Sequence, residues 1–191
     1  RVLKPGGRVA ISDIVSDEEV PEHLRADAEL WSGCISGAFQ ERTFLEAFEK
    51  AGFYGICIEK RDDIPWRVVE GIEFRSVTVT AYKGKEGPCL ERNQAVIYPG
   101  PWSEVRDDDG HVFRRGVPVA VCDKTFKILT CEPYGAQTIA VPPRIDIPLE
   151  EAGIFECGQT STRHPRVTKG LDYAVTTEEL APACGPDEVC C

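Results

Sequence analysis

The sequence predicts an α/β chain in two parts: a partial open sheet with helices over residues 1–85, then a small, mainly β and irregular domain over residues 86–191. Three observations carry this expectation. An apolar run at Arg8–Val15 and alternating runs at Tyr54–Lys60 and Ile72–Lys83 read as strands. Helical patterns lie between the first run and the other two. After Lys83-Gly84-Lys85-Glu86-Gly87-Pro88 prolines and glycines become frequent and helical periodicity fades, which places a domain boundary near residue 86.

Taken in order, Arg1–Leu3 reads as the end of a helix, and Lys4-Pro5-Gly6-Gly7 as a stop and turn into a buried strand at Arg8–Val15. Asp17, Glu18 and Glu19 precede a helical pattern from Pro21 to Trp31, where proline suits the first turn and early carboxylates suit the helix dipole. Ser32–Ala38 is rich in small residues and reads as a tight packing contact unless it serves a site. Thr43-Phe44-Leu45-Glu46 fits a capping box, with Phe44, Leu45 and Phe48 on one face and Gly52 as the stop. Tyr54–Lys60 and Ile72–Lys83 then form a strand pair joined by a polar connection containing Pro65, with Val77, Val79 and Ala81 on one face. In the second part Ala95–Tyr98 and Val117–Val121 are the clearest strands, a short helix fits Asp123–Thr130, and Thr177–Cys191 is an acidic terminal stretch.

Composition excludes several classes of function. The chain is 42% hydrophobic and 28% charged, with no apolar run near the about 20 residues of a membrane helix. A net charge of -10 without a basic stretch repels a phosphate backbone, so neither nucleic acid nor a membrane is an expected partner. The chain opens on Arg1 and holds no methionine, so it reads as a fragment. Its nine cysteines are odd in number and widely spaced apart from Cys190-Cys191. That pattern favours reduced thiols in the cytoplasm over a disulfide scaffold. Adjacent cysteines rarely reach disulfide geometry, which leaves Cys190 and Cys191 as candidates for soft-metal or metalloid capture.

The first part also carries a family resemblance. Arg1-Val2-Leu3-Lys4-Pro5-Gly6-Gly7-Arg8-Val9-Ala10-Ile11-Ser12-Asp13 resembles the "LKPGG" turn and fifth strand of class I, Rossmann-like methyltransferases. Three further stretches resemble the arsenite S-adenosylmethionine methyltransferase family in particular. They are Leu30–Ala38 with Trp31 and Cys34, Pro88–Tyr98 with Cys89, Gln94 and Tyr98, and Asp107–Cys122 with Asp108, Asp109, His111, Phe113, Gly116, Pro118 and Cys122. Arg92-Asn93 stands where the family usually has Tyr-Gly, and Asp123-Lys124 where it commonly has Gly-Asn.

The resemblance implies a partial methyltransferase sheet holding strands five, seven and six, with the seventh inserted antiparallel between the others. It implies S-adenosylmethionine as cofactor of the full-length protein, held by a glycine-rich loop and an acidic strand end upstream of Arg1, so that this chain alone binds the donor poorly and is inactive. It implies a small-molecule substrate, trivalent arsenic as a thiol complex, bound at Cys34 and Cys89 with a further cysteine from the upstream half. Trivalent arsenic is soft and thiophilic, and its lone pair can attack a sulfonium methyl without a general base; such an enzyme needs positioning rather than an acid–base pair. Each cysteine also has a plainer reading as a small buried hydrophobe. Cys122 and Cys57, among apolar neighbours, are expected in the core, while Cys131 and Cys157 stay undecided.

Asp107-Asp108-Asp109-Gly110-His111 lacks calcium-loop spacing and reads as a solvated turn. His23 and His164 read as single, unpaired surface residues. Two further expectations follow from the implied sheet and site: the edge of Arg8–Val15 is paired with another copy or screened by chain, and Cys34 and Cys89 converge in space. Two other functions remain open, a non-catalytic thiol module that sequesters arsenic or a metal, and a methyltransferase of another small molecule.

Overall fold

The computed structural model describes residues 2–170. The chain divides into two compact units, Arg1–Pro88 and Cys89–Cys191.

The first unit is a mixed sheet with short helices. Its elements run β1 (Arg8–Ser16), α1 (Glu22–Arg25), α2 (Ala28–Ser32), β2 (Phe39–Gln40), α3 (Glu41–Lys50), β3 (Phe53–Arg61), β4 (Arg67–Val69) and β5 (Ile72–Lys83). The long β5 lies between β1 and β3 and is antiparallel to both. Strand β2 adds to the outer edge of β1 in parallel, pairing only Val15 with Phe39 and Ser16 with Gln40.

Two apolar clusters hold this unit. Phe44 and Phe48 of α3 pack on Val15, Val77, Val79 and Ala81. Val20, Leu24 and Ile35 pack on Ile72 and Phe74. The second cluster reaches only one end of its sheet face. Beyond Phe74 that face turns polar, with Ser12 and Thr78 hydroxyls 2.8 Å apart. With β2 beside only its last two residues, β1 is not the buried strand expected: Val15 and Ser16 are buried, while Ala10 to Asp13 are exposed.

The helix expected over Pro21–Trp31 is two short ones. The Asp27 carboxylate accepts hydrogen bonds from the backbone N–H groups of Glu29 and Leu30, which starts a new helix and ends the first at Arg25. Helix α3 begins at Glu41, before the expected capping box; Gln40 occupies the cap position without a side-chain cap bond. Gly52 does stop the helix, at φ +77°. The polar connection contains the unexpected strand β4, which forms a hairpin with β5 through Glu70-Gly71, both at positive φ.

The second unit is built of short strands. They are β6 (Leu90–Glu91), β7 (Ala95–Ile97), β8 (Glu104–Arg106), β9 (Val112–Arg114) and β10 (Pro118–Ala120), then α4 (Asp123–Leu129), β11 (Ile139–Val141), β12 (Gly153–Ile154) and α5 (Pro165–Lys169). Strand β7 sits between β10 and β11. Val96, Val119, Val121, Phe113 and Leu129 form the main core. The pairs β6–β12 and β8–β9 stand as separate two-stranded ribbons. No helix among the described residues is long and apolar enough to cross a membrane.

Candidate functional site

The cysteines fall into two settings. Cys34 belongs to the first unit, in the turn that ends α2, where its backbone adopts φ +59°. Its neighbours fix that turn. Ile35 is fully buried, and the Ser36 hydroxyl donates to the backbone oxygens of Leu24 (2.8 Å) and Asp27 (2.9 Å). With both following residues anchored inward, Cys34 is left exposed. A Cβ added at Gly37 would lie 3.5 Å from the Trp31 ring, an ordinary contact, so packing alone does not demand the small residues here.

Cys89 opens the second unit, and the β6–β12 ladder brings it to Cys157. Leu90 pairs with Ile154, and the backbone N–H of Phe155 donates to the Cys89 carbonyl at 2.9 Å. Cys89 and Cys157, 68 residues apart in sequence, form a disulfide. The expectation of reduced thiols fails at this pair; a strand ladder between distant segments leaves no trace in cysteine spacing.

A third sulfur joins them. Cys122 ends the segment after β10 and caps α4, its Sγ accepting the Thr125 backbone N–H at 3.4 Å and lying 3.2 Å from the Thr125 hydroxyl. The Sγ atoms of Cys89, Cys122 and Cys157 all lie within 4.8 Å of one another. Ala120 and Phe155 supply apolar walls, and Cys122 is 1% exposed. Cys122 is in the core, as expected, but as part of a sulfur cluster. Cys57 is not: the register shift between Tyr54 and Cys57 turns it outward, and it is exposed. Cys131 is also exposed, and Cys190 and Cys191, with the stretch Thr177–Cys191, lie outside the described residues.

Beside the cluster, His111 is buried rather than solvated. Its Nδ1 lies 2.7 Å from Asp107 Oδ2, and its backbone N–H donates to Asp107 Oδ1 at 2.8 Å. The bond to Asp107 raises the imidazole above its ordinary value against the opposing effect of burial, and a bond to the Cys157 backbone adds to it. Burial pushes the Asp107 carboxyl up, but the bonds from His111 outweigh it and hold the group below the usual carboxylate range. Asp107, Asp109 and His111 converge as a metal site would, yet Asp107 also accepts the Asp109 backbone N–H, so the group closes the β8–β9 turn. His23 and His164 are exposed but not unpaired: His23 lies 2.9 Å from Glu70, and His164 caps α5.

The two departures from the family pattern fit this geometry. Asn93 sits at φ +64°, the left-handed region that glycine, or next best asparagine, adopts. Arg92 Nη1 donates to Asp123 Oδ1 at 2.8 Å, so the two unusual residues pair with each other next to Cys122.

A domain of unknown function, DUF8838, matches residues 85–173. The arsenite methyltransferase of Aquipseudomonas alcaligenes is 29% identical over 68% of this chain and 41% of its own length. The mouse arsenite methyltransferase is 27% identical over 78% of the chain and 42% of its length, and the human one 26% over 100% and 52%. Each of these relatives carries the name arsenite methyltransferase, and the chain is similar to that family along most of its length. It spans about half or less of the length of these relatives. Among solved structures, CrArsM, an arsenic(III) S-adenosylmethionine methyltransferase from Chlamydomonas reinhardtii, is 24% identical over 82% of this chain and 55% of that one, with a TM-score of 0.44.

The similarity to arsenite methyltransferases raises the question of a methyl-donor loop, and the Gly6-Gly7 turn does not form one. The turn Gly6-Gly7 leads into a strand rather than a helix, and α1 and α2 have 4 and 5 residues, too short to present a cofactor loop of the strand–turn–helix kind.

Proposed function

We propose that this chain is part of an S-adenosylmethionine-dependent arsenite methyltransferase and supplies the thiolates that hold trivalent arsenic. The observation that supports this reading is the sequence relationship, which runs along 68–100% of the chain to proteins named for that activity. Within the proposal, β1, β5 and β3 are the fifth, seventh and sixth strands of the family sheet. Cys34 and Cys89 are the arsenic ligands. Cys34 precedes the anchored turn at Ile35-Ser36, and Cys89 leads into the β6–β12 ladder. In the disulfide Cys89 has no thiolate to offer, so activity calls for a dithiol reductant and, in a cell, for a reducing compartment such as the cytoplasm.

The test uses the full-length protein with arsenite, S-adenosylmethionine and a dithiol, with methylated arsenicals separated and counted by mass spectrometry. Cys34→Ser and Cys89→Ser each lower turnover by more than the about 100-fold typical of losing an outer-shell partner, whereas Cys57→Ser leaves it unchanged. Wild-type protein that binds arsenite without methylating it overturns the enzymatic reading in favour of thiol sequestration. Calorimetry on the 191-residue chain is expected to give no micromolar affinity for S-adenosylmethionine.

A further inference from the structure

We propose that Cys89, Cys122 and Cys157 form a complete three-thiolate site for trivalent arsenic within the second unit, closed by the Cys89–Cys157 disulfide and opened by its reduction. The choice of arsenite as occupant rests on the proposed function; the sulfur arrangement stands without it.

Three features of the cluster favour a three-coordinate, pyramidal, thiophilic ion. First, the sulfurs lie within 4.8 Å of one another. With bonds of about 2.3 Å, the length for zinc thiolates, and pyramidal angles, three ligating sulfurs stand roughly 3.5 Å apart, so only a small contraction is needed. Second, the sulfurs are placed by separate parts of the fold: Cys89 by the β6 ladder, Cys122 by its cap on α4, and Cys157 by the His111 bond to its backbone. Third, a tetrahedral ion lacks a fourth ligand among the described residues. The His111 imidazole is engaged by Asp107 and by the Cys157 backbone, and Asp123 is engaged by Arg92 and Lys127. Zinc prefers four ligands, whereas trivalent arsenic keeps a lone pair opposite three sulfurs.

The chemistry balances. A dithiol reductant attacks the disulfide, leaves as its own cyclic disulfide, and transfers two hydrogens to give the Cys89 and Cys157 thiols. Arsenous acid, As(OH)3, then condenses with three thiols to form As(S-Cys)3, releasing three waters. No further oxidant or reductant enters.

The test is arsenite titration of the full chain after dithiol reduction and removal of excess reductant. It is read by arsenic X-ray absorption and by the ultraviolet arsenic–sulfur band, with Zn2+ and phenylarsine oxide as comparison probes. One equivalent of arsenite is expected with three sulfur neighbours, and none before reduction. Cys122→Ser, which keeps a capping oxygen, and Cys157→Ser each weaken arsenite binding by more than the ~100-fold typical of losing an outer-shell partner. They retain phenylarsine oxide, which needs only two thiolates, and that retention shows the fold intact. Cys57→Ser, at an exposed cysteine outside the cluster, changes neither. Loss of arsenite binding in Cys34→Ser together with its survival in Cys122→Ser and Cys157→Ser overturns the three-sulfur site while leaving the Cys34–Cys89 reading standing. Two sulfur neighbours, or Zn2+ binding that arsenite cannot displace, also overturns it. Three-sulfur binding in a full-length protein that forms no methylated arsenical upholds the site and sinks the proposed enzyme.

Discussion

At the scale of single residues, the sequence showed which side chains were unusual but not which of them meet. Arg92 and Asp123 each stood out as departures from the family pattern, and only the fold makes them partners, with side chains 18% and 10% exposed. Their double-mutant cycle to alanine, read by denaturant unfolding, is expected to give a coupling energy of about 1–2 kcal/mol; additive effects would mean that the pair contributes nothing. Cys34 and Cys89 were visible because short motifs surround them, whereas Cys157 has no such surroundings and Cys122 reads as one more apolar residue. His111 was legible as part of a motif but not as a buried, paired ring. Its raised pKa means that its contribution is complete below the ordinary histidine value of about 6.5 and is lost as pH rises through the folded value. The lowered Asp107 contributes fully above about 3.9 and loses its effect as pH falls through its own folded value. Melting temperature is therefore expected to be highest near pH 4–6.5 as far as this pair is concerned and to fall toward pH 8, with His111→Gln flattening that fall. An unchanged pH slope in the variant would assign the dependence elsewhere.

At the scale of elements, strands were read well where a face alternates. Ile72–Lys83 is β5 to the residue, and Tyr54–Lys60 lies within β3. Helix ends were read less well, because a single carboxylate can override a periodic pattern: Asp27 takes two backbone N–H groups and divides one expected helix into two. The hairpin β4–β5 was missed, since Val69-Glu70-Gly71-Ile72 lacks the asparagine or aspartate that usually marks a two-residue turn. Glu70 at φ +52° and Gly71 at φ +89° match the positive φ that a type I′ turn requires at both central residues. Glu70→Asn is expected to raise stability by a few tenths of a kcal/mol to about 1 kcal/mol, and Gly71→Ala to lower it by about 1 kcal/mol, both by thermal unfolding. Asparagine at position 70 also removes the ion pair between His23 and Glu70, but both of those side chains are exposed and the pair weighs little against the relief of backbone strain.

At the scale of the whole molecule, composition changes near residue 86 and the packing divides after Pro88. The exposure of β1 was not legible, because a run of apolar letters cannot say whether anything lies beside or above it. The outer edge of β1 from Arg8 to Ile14 has no strand neighbour among the described residues, β2 reaching only its last two positions. Pairing with a second copy along that edge is expected to appear in sedimentation velocity as a dimer that grows with concentration; a monomer throughout the micromolar range would oppose it. The bond between Cys89 and Cys157 has its own consequence for handling the protein. It joins cysteines 68 positions apart and encloses every element from β6 to β12, α4 included. A protease that nicks the backbone once anywhere between the two cysteines leaves two fragments that travel together on a denaturing gel, and only a reducing lane separates them.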